Sequence, residues 1–274
     1  MVSDVISAAA PTAAAPGRCA APSTIFFDDF RTAELGLARQ EKLAEEITLD
    51  NQRVLLVWQA PQALIVGSSD TRLPKFAAAA NRLLADGWPV LIRRSGGSAC
   101  PVSMNTLQIA LARTATTEIT IDSAYTELTN LIRTVLESYG LKVETSSRPS
   151  AFCPGRYDMS INGRKISGLS QHWRQCNGRI TVTTTSALTV EEDPRELARI
   201  VNLFYRAAGG AQRCRASAVG ALRQALPVDA TFDTPLMEDV RNRIAKAARA
   251  EWRNDPRRIS APHPLQRVPL SHNN

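Results

Sequence analysis

Helix-like and strand-like spacings of apolar residues alternate irregularly along this chain. Residues 33–47 (AELGLARQEKLAEEI) predict an early helix, and residues 53–58 and 63–67 (RVLLVW, ALIVG) predict two short apolar strands around Pro61. A helix follows over 74–86, with Pro74 in its first turn and Gly87 just past its end. Strand 89–93 runs into Arg94-Ser95-Gly96-Gly97-Ser98-Ala99, and Leu107, Ile109 and Leu111 alternate as in a half-buried strand. Leu128, Leu131, Ile132, Val135, Leu136 and Tyr139 stripe a helix over 123–139 that stops at Gly140. Asp193-Pro194-Arg195-Glu196 has the form of a capping box with proline at the first helical position. Behind it lies the stripe Leu197, Ile200, Val201, Phe204 and Tyr205.

The pattern is plainest over 157–188, where Asn162-Gly163 and Asn177-Gly178 separate runs rich in β-branched residues. Asn-Gly suits a two-residue hairpin turn because both residues must take positive φ, so the segment predicts a three-stranded antiparallel meander. The first turn then pairs Ile161 with Arg164, Ser160 with Lys165 and Met159 with Ile166. Tyr157, Met159, Ile161 and Ile166 share the core face. Asp158, Ser160, Lys165 and Ser167 share the polar one, so replacing Lys165 is expected to leave stability nearly unchanged. His172 falls on the opposite face from Lys165 unless a bulge intervenes.

Composition narrows the function classes. The 274 residues are 44% hydrophobic and 22% charged, enough for a sizeable core. No stretch approaches the roughly 18 apolar residues of a membrane span. Aromatics at 5% leave little for base-stacking platforms. The five cysteines (19, 100, 153, 176, 214) form no CxxC pair, which predicts neither a disulfide framework nor a zinc site and fits a reducing cytosol. The net charge of +7 suggests nucleic acid until it is located. Residues 241–258 (RNRIAKAARAEWRNDPRR) carry +5, against +1 for residues 1–240, so the excess belongs to one basic helix. That helix is a solvated face or a docking face for an acidic partner. Residues 1–22, with eight Ala and three Pro, predict a disordered leader rather than a signal peptide, and 261–274 a disordered tail.

Two segments carry unusual chemistry. In Arg93-Arg94-Ser95-Gly96-Gly97-Ser98-Ala99 the glycines let backbone N–H groups approach an anion or carbonyl, and the arginines add charge. It lacks P-loop and GxGxxG spacing, and a tight structural turn reads equally well. Cys153, next to Pro154-Gly155 and near arginine and lysine, is either a nucleophile with a lowered thiol pKa or a small buried residue. Cys100 is its nearest competitor. A Cys–Lys pair is preferred over a Cys–His pair.

Arg93–Ala99 and Ser160–Gly168 resemble the two hallmark motifs of the biotin/lipoate protein ligase superfamily, and the likeness runs from about residue 25 to 225. Gly67–Pro74 and Cys153–Lys165, followed by Gly168-Leu169-Ser170-Gln171, are most similar to the octanoyl-[glycine-cleavage H protein]:protein N-octanoyltransferase branch. The chain departs from that branch at Arg94, Ser103, Asn105 and Gln108, and from the ligases at Ser98, Val102 and Ser103. The biotin-ligase GRGR-type loop is absent.

What the resemblance implies is an α+β fold: a biotin/lipoate ligase-like catalytic domain over 23–225, with a mixed or antiparallel β-sheet flanked by helices. A short helical C-terminal appendage follows at 226–260. It also implies a cytoplasmic acyltransferase of protein lipoylation working by double displacement. Cys153 would take an octanoyl or lipoyl group from a lysine of the glycine-cleavage H protein as a thioester. It would then pass the group to a lysine of another lipoyl-domain protein, such as a 2-oxoacid dehydrogenase acyltransferase subunit. Lys165 would stabilise the thiolate or exchange protons with the amines. Arg93, Arg94, Ser95, Gly96, Gly97, Ser98, Ala99, Asp158 and Gly168 would bind the acyl substrate, without metal. No cofactor is implied unless the chain is instead an ATP- and Mg²⁺-using lipoate–protein ligase. The third reading is a non-catalytic homologue that binds lipoyl domains. Partners among nucleic acids or membranes are not expected.

Overall fold

The structure, a computed structural model, describes residues 23–48 and 52–254; the expected leader and tail lie outside the described residues. In chain order the first strands are β1 (Ser23–Asp29), β2 (Arg53–Gln59), β3 (Ala63–Val66), β4 (Val90–Ile92) and β5 (Cys100–Val102). The others are β6 (Thr106–Thr114), β7 (Glu144–Thr145), β8 (Met159–Ile161), β9 (Arg164–Cys176) and β10 (Arg179–Thr189). The helices are α1 (Ala33–Lys42), α2 (Phe76–Ala85), α3 (Ile121–Glu137), α4 (Pro194–Ala208), the single turn α5 (Leu222–Ala225) and α6 (Leu236–Asn254).

A seven-stranded mixed sheet runs β1-β2-β6-β10-β9-β8-β7, with β1 and β2 parallel and every other pair antiparallel. A three-stranded sheet, β4-β3-β5, lies beside it. Three apolar clusters give the layer order. Leu55, Val57, Leu107 and Ile109 of the large sheet pack against α3 and α6. The opposite face, with Leu56, Trp58, Ala110 and Ala112, meets α1 and Ile65 and Val102 of the small sheet. The far side of the small sheet meets α2 and α4 through Leu83, Leu197, Val201 and Phe204.

Local signals mostly act as chemistry requires. Asn162, Gly163, Asn177 and Gly178 all have positive φ (51°, 74°, 50° and 72°), so both Asn-Gly turns form and β8, β9 and β10 make the expected meander. At α4 the Asp193 carboxylate accepts from the Arg195 amide and Pro194 opens the helix, but Glu196 pairs with Arg199, so no reciprocal box forms. The early helix is regular only over 33–42 and tightens into a 3₁₀ turn at 43–46. Pro74 precedes α2 rather than lying inside its first turn.

Three expectations are corrected by packing. The strand at 107–111 is not half-buried: residues 106–113 of β6 are buried on both faces because it is sandwiched between helix and small sheet. Arg53 and Arg113 sit opposite each other on β2 and β6, and both pair with buried Glu127 of α3, which compensates the like charges. The C-terminal helix is not an appendage. Leu236, Val240, Ile244, Ala248 and Trp252 of α6 are all buried and belong to the same cluster as α3 and the large sheet. Part of its charge is also internal. Arg241 pairs with Asp29 of β1, while Arg243 pairs with Asp239 at 2.7 Å and stacks on Tyr139.

The third correction is a β-bulge. Ser160 pairs with Lys165 as expected, but Met159 pairs with Ser167, leaving Ile166 as an extra residue on β9. The bulge resets the alternation that otherwise separates Lys165 from the residues beyond it, so Lys165 and Gly168 come to the same side.

Candidate active site

A cleft lies between the two sheets, with about 500 Å³ of empty space when its open mouth is included. Ile65, Arg93 and Cys100 line it from the small-sheet side, and Gln108, Gly168, Ser170, Thr185 and Ala187 from the large sheet. Leu37 and Gln40 of α1 and the loop residues Phe152 and Cys153 complete it, together with Lys165. A mostly apolar cleft with a few convergent polar groups is the usual form of a small-ligand site.

Cys153 sits on the wall in a positive-φ conformation (41°), which turns its side chain toward the glycine loop. Its Sγ accepts a hydrogen bond from the Ser98 amide at 3.2 Å, and the Arg93 guanidinium approaches to 3.6 Å. Arg93 is itself fixed, donating to the carbonyls of Ile65 (3.0 Å), Gly96 (3.1 Å) and Ser98 (2.7 Å). Gly97 is required at its position. Its φ is 102°, and a Cβ there would lie 2.8 Å from the Cys153 sulfur and 2.6 Å from Arg93 Nη2. A guanidinium and an amide donor thus converge on one sulfur.

The other cysteine in the cleft differs. Burial, then the neighbouring Cys153, pushes the Cys100 thiol up to about 12, so it stays protonated. Cys214, outside the cleft, is pushed up to about 11 mainly by burial.

Lys165 is fully buried, contrary to the expectation of an open polar face, and its Nζ pairs with Asp158 at 2.9 Å. The same ammonium donates to the carbonyls of Phe152 (2.8 Å) and Cys153 (2.6 Å) and lies 5.1 Å from the Phe152 ring centre. Lys165 therefore clamps the loop that carries Cys153 through two of its carbonyls. Asp158 also accepts from the Gly155 amide at 3.0 Å. Burial raises its pKa, with Lys165 opposing. The two hydroxyls expected beside the lysine have other partners: Ser160 accepts from Arg148, and Ser167 bonds to Ser186. Gly168 leaves room for the lysine, since a Cβ there would lie 2.8 Å from Nζ.

The remaining candidates divide. Ser95 bonds to Ser170 at 3.0 Å, and Ser170 to Thr185 at 2.8 Å, tying the loop to β9 and β10. Arg94 points away and pairs with Glu41 of α1 at 3.3 Å. Gly96 has no heavy atom within 4 Å of where its Cβ would be. The Ala99 amide donates to the Tyr205 phenol. The bulge brings His172 to the cleft side, where it lines a second hollow of about 320 Å³ with Arg94, Ser95 and Thr183. Burial, then Arg174, lowers the His172 pKa, and its other charged neighbours are Glu41 and Arg94 rather than the thiol. Among the described residues, no group of His, Cys, Asp and Glu could hold a metal ion. Sequence reasoning does not single out Gln40, Thr185 and Tyr205, whose signals are those of ordinary helix and strand positions, and it names Gln108 and Ser170 only within the motif comparison.

The model of the lipoyl protein ligase A/B catalytic domain matches residues 32–249. The chain belongs to this family. Within it, octanoyl-[GcvH]:protein N-octanoyltransferases from Macrococcus caseolyticus and Staphylococcus epidermidis are 32% and 34% identical over 155 and 157 residues. Those alignments cover 57% of this chain and 55% and 54% of the two relatives. The chain thus spans about half the length of the curated relatives it matches. Lipoate-protein ligase A bound with ATP superposes with a TM-score of 0.63 over 82% of this chain and 83% of its own, at 15% identity. A bipartite lipoate protein ligase from Thermoplasma acidophilum gives 0.59 over 82% and 81%, at 17% identity. The fold is that of the lipoate ligases.

Proposed function

We propose that this chain is an acyltransferase of protein lipoylation, moving an octanoyl or lipoyl group between lysines of two lipoyl-domain proteins through a thioester on Cys153. The observation that carries the reading is the Cys153 sulfur, placed on the wall of the mostly apolar cleft beside the Ser98 amide and the Arg93 guanidinium. In the first half-reaction the thiolate attacks the amide carbonyl of the acylated lysine. The C–N bond breaks, and the leaving lysine nitrogen takes a proton from solvent to depart as the amine. In the second, an unacylated lysine amine attacks the thioester, gives a proton back to solvent, and the C–S bond breaks to return the sulfur as thiolate. Arg93 and the Ser98 amide stabilise that thiolate at both ends of the cycle. Lys165 and Asp158 hold the Cys153 loop, and the cleft takes the alkyl chain. One lysine amide is exchanged for another, so the net reaction is close to thermoneutral and the cycle needs no ATP.

The relatives' names specify GcvH, and the donor proposed here is a glycine-cleavage H protein. The acceptors are other lipoyl domains, including 2-oxoacid dehydrogenase acyltransferase subunits. Among the described residues no helix is long and apolar enough to cross a membrane, and the four described cysteines are free thiols. A reducing cytoplasm accommodates both. The test is transfer from an octanoylated H protein to an unmodified lipoyl domain with ATP and Mg²⁺ omitted and a chelator added. Transfer at an undiminished rate is expected. Strict dependence on ATP and free octanoate or lipoate would establish the ligase reading instead.

The basic helix offers a separable expectation. Lys246 and Arg249 are exposed on α6, whereas Arg241 and Arg243 pack against the body. Replacing Lys246 and Arg249 with Gln should leave the melting temperature unchanged and slow transfer only at low salt, if acidic lipoyl domains are steered to this face. Replacing Arg241 and Arg243 should instead lower the melting temperature by about 2–4 °C, the scale of two partly exposed pairs. Identical salt dependence in both variants and the wild type would show that α6 steers nothing.

A further inference from the structure

The glycine loop that brings the Ser98 amide to Cys153 is held by Arg93 and Ser95 at the cleft and by a second set of contacts outside it. The turn after β3 lies directly against the loop: a Cβ on Gly67 would sit 1.9 Å from the Gly97 carbonyl oxygen. Asp70 closes that turn, its Oδ2 accepting from the Gly67 amide at 3.2 Å. Its other oxygen, Oδ1, accepts from the Tyr205 hydroxyl at 3.0 Å. The Tyr205 oxygen in turn accepts from the Ala99 amide at 3.0 Å, one peptide beyond Ser98. Asp70 and Tyr205 are each 2% exposed, and Tyr205 is anchored in α4 among Phe204, Leu197 and Val201.

We propose that Asp70 and Tyr205 are positioning residues, a buried strut from α4 to the glycine loop that aims the Ser98 amide at the Cys153 sulfur. This rests on the reading of Cys153 as the nucleophile. Neither residue touches the cleft, so each acts through the loop. Without the phenol oxygen the buried Ala99 amide has no acceptor, and the loop must rotate that peptide toward another one. Rotation of the Ala99 peptide displaces its neighbour Ser98, and the sulfur loses a donor that favours the thiolate. Asp70 is required because it fixes the phenol and the Gly67 turn together. A carboxylate shared between a backbone amide and a phenol orients the hydroxyl hydrogen away from Ala99, leaving a lone pair for the amide.

The test reads Cys153 directly. The rate of Cys153 carbamidomethylation by iodoacetamide is followed by peptide mass spectrometry across pH for wild type, Tyr205→Phe, Asp70→Ala and Phe204→Leu. Tyr205→Phe is expected to react about tenfold more slowly at neutral pH, the scale of one hydrogen bond to a charged group. Its pH–rate inflection should move to higher pH. Asp70→Ala should slow the reaction comparably, and the double variant should be no slower than the worse single one, because the two act as one unit. Phe204→Leu, which loosens the same helix but keeps the phenol, should retain the wild-type profile. A wild-type profile for folded Tyr205→Phe overturns the strut, and so does an equal shift in Phe204→Leu. Wild-type acyl transfer from an octanoylated H protein is measured alongside. Its failure counts against the acyltransferase reading, whereas the alkylation ratios bear on the strut alone.

Discussion

Cys153→Ala is expected to abolish transfer between lipoyl-domain proteins, with a loss of about 10³-fold or more, the scale of removing a covalent nucleophile. The fold should survive. The thiol fills a position on the cleft wall, and alanine keeps the same backbone, so only the contacts with Ser98 and Arg93 are lost. Cys100→Ala is the matched control. It removes a thiol from the same cleft, but one that burial holds protonated. It should therefore transfer acyl groups within a few-fold of wild type. Transfer at the wild-type rate by Cys153→Ala, with loss in Cys100→Ala, would reassign the nucleophile to Cys100.

Lys165→Ala is expected to damage both stability and activity. Truncation leaves the Asp158 carboxylate buried without its cation and frees the carbonyls of Phe152 and Cys153. Breaking a buried pair from one side costs about 3–5 kcal/mol, or roughly 10 °C in melting temperature for a domain of this size. Transfer by the folded fraction should fall by about 10²–10⁴-fold, because the loop that presents Cys153 is no longer clamped. Lys165→Ala combined with Asp158→Ala separates the two effects. Removing the orphaned carboxylate should recover much of the lost stability, since an apolar replacement of a buried pair is often tolerated. It should recover none of the activity. A double variant that regains both would make the pair a packing element with no bearing on transfer.

How far the sequence reaches depends on whether a signal is local. The two Asn-Gly turns and the α4 proline are local chemistry, and each forms where expected. The juxtaposition of Arg93 and Cys153, 60 residues apart, is not local: the motif resemblance puts both in one site, and only the fold shows Arg93 beside the sulfur. The bulge at Ile166 carries no residue signal at all. Lys165 keeps its expected pairing with Ser160, so the face it shares with Asp158 does not depend on the bulge, and Ile161 and Ile166 both lie in the core. That one extra residue brings Gly168 and His172 to the side of Lys165, while the lysine itself is buried beneath the Cys153 loop it bonds to. Tyr205 illustrates the opposite limit. Its spacing on α4 marked a core stripe correctly, and only the neighbouring backbone amide reveals what its hydroxyl does. The apolar stripe of α6 was hidden by its charge, since a basic sequence reads as solvent-facing even when every third or fourth residue is buried.

The most direct test of the central claim is the intact mass of the wild-type protein after brief incubation with a stoichiometric octanoylated H protein, without ATP. The expected result is a protein carrying one octanoyl group, mapped to the Cys153 peptide, removed by hydroxylamine and chased by an unmodified lipoyl domain. Tight binding of the lipoyl domains with no octanoyl adduct, or an adduct on any residue other than Cys153, would contradict it.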